Sequence, residues 1–97
     1  MDEDIALRLS GQRALLQAIH RDVRLVKAKR VKDTITFTAI CDLPFSDDAL
    51  DLLLDAAGEM AADFPNCIMD EHITGSSDPL PKDDLWTEGW LFARAEP

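Results

Sequence analysis

The sequence predicts an α+β fold: a two-layer sandwich in the order α-β-β-α-β-β, with a four-stranded antiparallel sheet and both helices on one face. Three observations predict it. Residues 46–64 repeat apolar side chains at the helical period. Residues 33–41 alternate apolar residues with threonines. A run rich in Gly, Ser, Pro and Asp at 75–84 separates two further short apolar segments. The 97 residues make one domain, 1–97, and are too few for two independent cores.

Taken in order, the first twenty residues support two readings. Ile5, Leu9, Leu16 and Ile19 fall on one face of a long helix with Gln12 between them, and His20 at its end would complement the helix dipole. Ile5, Leu7 and Leu9 also alternate, and Ser10 is placed to cap a shorter helix from Gly11. A strand over 4–9 would make the fold ferredoxin-like with an extra strand. Residues 23–30 form the next strand, with Val23, Leu25, Val26 and Ala28 set among basic residues, and Val31-Lys32-Asp33 is a tight turn. In 33–41, Ile35, Phe37, Ala39 and Cys41 should face a core, and Thr34, Thr36 and Thr38 should face water.

The second helix is the clearest element. Ser46 is its N-cap, and Asp47 and Asp48 lie in the first turn, where they favour the dipole. Leu50, Leu53, Leu54, Ala57, Ala61 and Phe64 make the apolar stripe, and Pro65-Asn66 stops the helix. Residues 67–74 form a third strand and 85–94 a fourth.

Charge is distributed unevenly. The net charge is −9, yet residues 1–32 carry eight basic against four acidic side chains, and residues 33–97 two against fifteen. No stretch is long and apolar enough to span a membrane. The acidic N-terminus lacks the basic start of a secretory signal, so the expectation is a cytoplasmic protein with both thiols, Cys41 and Cys67, reduced.

The first candidate site is the second helix. Asp48, Asp51, Asp55, Glu59 and Asp63 lie on one side of it, opposite the apolar stripe, and no Lys or Arg occurs between residues 33 and 81 to offset them. Leu52 and Ala56 are expected within that acidic side, as apolar anchors ringed by carboxylates. The ordinary alternative is a solvated helix face.

The basic run Arg21, Arg24, Lys27, Lys29, Arg30 and Lys32 is read as a charged hairpin balancing the acidic remainder, or an edge strand that its lysines protect from aggregation, with a nucleic-acid or phosphate patch as the functional alternative. The acidic remainder opposes a polyanion, and no aromatic residue interleaves the run for base stacking, so no nucleic-acid partner is expected. Asp70-Glu71-His72 resembles a metal or catalytic fragment. No supporting spacing of Cys, His or carboxylates accompanies it, and neither a metal nor any other cofactor is expected. An enzyme would have to draw on Cys41, Cys67, Asp70 and His72. On the last strand, Trp86, Trp90 and Phe92 alternate with Thr87, Leu91 and Ala93. Apolar groups on both faces suggest that something covers part of the strand, and a homodimer interface would do so.

The segment Leu7-Arg8-Leu9-Ser10-Gly11-Gln12-Arg13-Ala14-Leu15-Leu16, the later Glu59-Met60-Ala61-Ala62-Asp63-Phe64-Pro65 and the aromatic end running to Arg94-Ala95-Glu96 resemble, in order, a group of short bacterial proteins. Some of these look like the small acidic proteins encoded beside polymorphic toxins. The resemblance implies an immunity role and carries no catalytic residue with it. The functional expectation is therefore a non-enzymatic protein that neutralises a basic protein partner. It would use Asp48, Asp51, Leu52, Asp55 and Glu59, with no membrane partner. Self-association through the C-terminal strand is the alternative.

Overall fold

A computed structural model describes residues 3–16, 19–80 and 89–94. Along the chain run α1 (Glu3–Leu15), β1 (Val23–Val31), β2 (Thr34–Cys41), α2 (Asp47–Asp63), β3 (Ile68–Gly75) and β4 (Trp90–Ala93). Residues 4–9 are helical, which removes the ferredoxin-like alternative. The helix stops at Leu15, so His20 is not at its end. The His20 Nδ1 instead accepts a hydrogen bond from the Asp22 amide at 3.1 Å. Trp86 and Thr87 of the expected fourth strand lie outside the described residues.

The strands order as β3-β2-β1-β4. β1 and β2 form an antiparallel hairpin closed at Val31↔Thr34, with Lys32 in the left-handed region at φ 57°. β4 adds antiparallel to the outer side of β1. There Gly89 takes φ 67° and its carbonyl accepts from the Ala28 amide at 2.8 Å; a Cβ at Gly89 would collide with the Ala28 carbonyl oxygen.

β3 departs from expectation. It pairs with β2 in parallel, from Thr34↔Ile68 to Cys41↔Gly75, so the sheet is mixed rather than antiparallel. The reason is α2. Its 17 residues span about 25 Å at 1.5 Å per residue, nearly the length of β2. The helix therefore carries the chain back to the end where β2 began, and a strand entered there must run alongside β2 in the same direction.

One core lies between the sheet and both helices. Ile35, Phe37, Ala39 and Cys41 of β2 are fully buried, as their alternation predicts. Val26 and Ala28 lie beside them on β1, and a bulge at Arg24 sets Val23 opposite Cys41. Above this face sit Leu53, Ala56, Ala57 and Met60 of α2 and Leu7, Ala14 and Leu15 of α1. Removing a side chain the size of Phe37 or Leu53 from water contributes about 1.5–3 kcal/mol.

Both helices turn differently from expectation. In α2 the buried residues are Ala49, Leu53, Ala56, Ala57 and Met60, while Leu54 is exposed and Leu50 and Ala61 are half-buried. Ala56 is therefore a core residue, and Leu52 packs half-buried at the core margin rather than standing within the acidic side. Three of the five buried positions are alanines, which let α2 pack closely against its neighbours. In α1 the inward residues are Leu7, Ser10, Gly11, Ala14 and Leu15. Gly11 seats the helix on β4: a Cβ there would lie 2.5 Å from Leu91 Cδ1. Ile5, Leu9 and Leu16 point away from the core.

Candidate partner-binding surface

The ends of α2 are fixed by named contacts. Ser46 Oγ accepts from the Ala49 amide at 3.1 Å, capping the first turn, and the Ser46 amide donates to Asp22 Oδ2 at 3.1 Å. Asp47 and Asp48 follow in the first turn. At the other end Phe64 closes the helix, its amide donating to the Ala61 carbonyl. One residue earlier, Asp63 Oδ2 accepts from Ser10 Oγ at 2.6 Å and from Arg13 Nη2 at 2.7 Å, which clasps α2 to α1. The hydrogen bond from Ser10, and then that from Arg13, hold the Asp63 carboxyl below the usual aspartate range.

Between these ends Asp48, Asp51, Asp55 and Glu59 are all exposed. They rise along the helix as a ridge with Gly58 and Ala62 open beside them, bordered by Leu54 and Leu50 on one flank and Leu52 on the other. Among the described residues, no Lys or Arg forms an ion pair with any of the four. Asp63, expected as part of this row, is engaged by Arg13 instead.

The basic run does not form one patch. Arg24 is buried and its Nη1 donates to the Ser76 carbonyl at 2.6 Å. Arg30 donates from Nε to the Lys32 carbonyl at 2.9 Å and lies 6.0 Å from the Phe64 ring centroid. Lys27 and Lys29 lie on the sheet face turned away from the helices, in register with Thr38 and Thr36. Where β1, β2, β3 and β4 converge, Arg94 grips Asp42 by donating from Nη1 to Oδ2 at 2.7 Å and from Nη2 to Oδ1 at 2.8 Å. That hydrogen bonding, aided by the charges of Arg94 and Arg24, holds the Asp42 carboxyl low. Beside it Cys41 is fully buried, and burial pushes its thiol up, which leaves it an unreactive packing residue.

The residues an enzyme would need are kept apart. His72 Nε2 and Asp70 Oδ2 are 3.0 Å apart on the open sheet face. Cys41 is three register rows away on the opposite face, and Cys67 precedes the far end of β3. Seven rows at about 3.3 Å each separate the two ends of that strand pair, so the two cysteines are free thiols. Among the described residues no cluster of His, Cys, Asp and Glu is arranged to hold a metal ion, and no helix is long and apolar enough to cross a membrane.

A family model described as MafI2 immunity protein matches residues 4–96. The chain belongs to this family. The match agrees with the resemblance in the sequence and spans both helices and the whole mixed sheet. No curated protein matches the chain. The exposed outer layer of the two helices carries the carboxylate ridge of α2 and, beside it, exposed apolar residues of α1. One feature of that layer escaped the sequence: the apolar face of α1 turned toward solvent. The signal for it was the absence of any acidic residue from 5 to 21 in an otherwise acidic chain.

Proposed function

We propose that this chain is a non-enzymatic immunity protein that neutralises a basic toxin by docking the carboxylate ridge of α2 on it. Asp48, Asp51, Asp55 and Glu59 meet lysines or arginines of the toxin, and Leu52 lines the border of the contact. The observation that carries this reading is the ridge itself. Asp51, Asp55 and Glu59 succeed one another at i,i+4 with no bridging cation among the described residues, a spacing at which like charges destabilise an isolated helix by about 0.2–0.5 kcal/mol per pair. A helix fixed at both ends bears that repulsion in the free state, and a cationic partner relieves it. The same field speeds encounter with such a partner and repels polyanions.

Co-expression tests the reading. A toxin encoded beside this chain's gene should arrest growth alone and lose that effect when the wild-type chain is present. Asp51→Lys/Asp55→Lys should fail to protect while remaining folded by circular dichroism. Protection by the charge-reversed variant would remove the ridge from the interface, and no protection by the wild type would end the proposal.

A further inference from the structure

The outward face of α1 carries Ile5 and Leu9, exposed to 53% and 51%, and Leu16 in the turn directly after it is exposed to 72%, whereas Leu7 and Leu15 of the helix are buried. At 3.6 residues per turn Ile5 and Leu9 lie about 40° of arc apart, and Leu16, whose amide donates to the Arg13 carbonyl at 3.2 Å, extends the stripe past the helix end. Gln12 lies in the stripe, and the exposed Arg8 and Arg13 border it on either side. No carboxylate occurs from residue 5 to residue 16. In a chain of net charge −9, this is the helical surface from which acid is missing.

The stripe lies next to the ridge. Ser10 and Arg13, on the flank of α1 that adjoins Leu9, both reach Asp63, and Glu59 is the next ridge carboxylate one turn back along α2. The two features match in length: Ile5 to Leu16 and Asp48 to Glu59 each span twelve residues, a rise of about 16 Å. Packed helices stand about 8–10 Å apart. Stripe and ridge therefore fit side by side within the roughly 800 Å² that one partner contributes to a standard interface.

We infer that the α1 stripe is the apolar half of a single docking surface whose charged half is the α2 ridge. Its occupant is a basic protein that presents apolar side chains beside a row of lysines or arginines. The inference rests on the toxin-neutralising reading and adds which residues hold the complex once charge has brought it together. The ridge sets the association rate, because its field acts at a distance. The stripe sets the dissociation rate, because desolvated apolar contacts act only once formed. Charge complementarity selects this occupant. The neighbouring carboxylates would repel both an anionic lipid surface and the ridge of a second copy.

Binding kinetics with the toxin encoded beside the gene test it, at low and high salt, on the wild type, Ile5→Ser/Leu9→Ser/Leu16→Ser and Asp51→Lys/Asp55→Lys. The triple serine variant should keep its melting temperature and association rate and dissociate at least about tenfold faster. The charge-reversed variant should associate more slowly at low salt. If the wild type binds and the triple variant dissociates within twofold of it, the inference is overturned while the toxin reading stands. If the wild type does not bind, both are overturned. Sedimentation of the chain alone and flotation with phosphatidylcholine vesicles supply the remaining arms. A dimer, or vesicle binding, that the triple variant abolishes would assign the stripe to a second copy or to lipid and overturn the inference.

Discussion

The two helices share one core and were assembled from opposite materials. α2 places small residues and Leu53 and Met60 inward and carboxylates outward, with a hydroxyl cap at one end and a side-chain clasp at the other. α1 places Ser10, Gly11 and Ala14 inward and leaves Ile5 and Leu9 outside, with Leu16 exposed in the turn that follows. In α2 apolarity serves the fold. In α1 much of it does not, since its largest exposed side chains are not members of the buried cluster. Apolar periodicity alone therefore reports that a helix has an apolar face, and not which way that face points.

The largest expected effect separates the helices directly. Leu53→Ala should destabilise the chain by about 2–5 kcal/mol, the range for emptying a fully buried leucine site, whereas Leu9→Ala should stay within about 0.5 kcal/mol. Urea denaturation of both variants measures the contrast, and equal losses would erase it. A second test concerns how α2 begins. Ser46→Ala removes the acceptor for the Ala49 amide and should cost about 1 kcal/mol in the same measurement. A third adds stability at the ridge. A Cβ at Gly58 meets nothing within 4 Å, so Gly58→Ala should stabilise α2 by somewhat less than 1 kcal/mol. A decrease would show that the open position is occupied.

The clasp between the helices gives the smallest and most conditional effect. The folded-state pKa of Asp63 is lowered, so its stabilisation is present above the ordinary carboxylate pKa of about 3.9. It is lost as pH falls through the lowered folded value. Asp42, held low by Arg94, behaves in the same way. Thermal melts of Asp63→Asn should therefore fall less steeply on the acid side than those of the wild type. An identical acid limb would mean that the Ser10 and Arg13 contacts contribute nothing to folding.

Several elements were legible in the sequence for reasons the structure makes plain. β2 alternates strictly because one of its faces is covered and the other is open, and α2 announces itself through Ser46, its acidic first turn and Pro65. The carboxylate row was readable because helical spacing and the lack of intervening cations are local facts. What was not legible depended on partners distant in sequence. The direction of β3 is set by where α2 delivers the chain, and Met69, Glu71 and Ile73 look the same in either orientation. The inward face of α2 includes Ala49, Ala56 and Ala57, whose small side chains weigh little in an apolar periodicity. Gly11 and Ser10 face inward in α1 because Leu91 and Asp63 wait there, and neither neighbour is visible from the helix alone.

The outward positions of α2 have a further consequence. Asp48, Asp51, Leu54, Asp55, Gly58, Glu59 and Ala62 contribute nothing to the buried cluster, although they alternate along the chain with residues that do. The helix thus behaves as a cassette whose inner and outer alphabets can be rewritten independently. Substitutions on the outside leave the buried cluster untouched, while the inside continues to specify the same fold. Under the proposed docking role, such a helix lets the chain change its partner by exchanging one turn at a time without refolding.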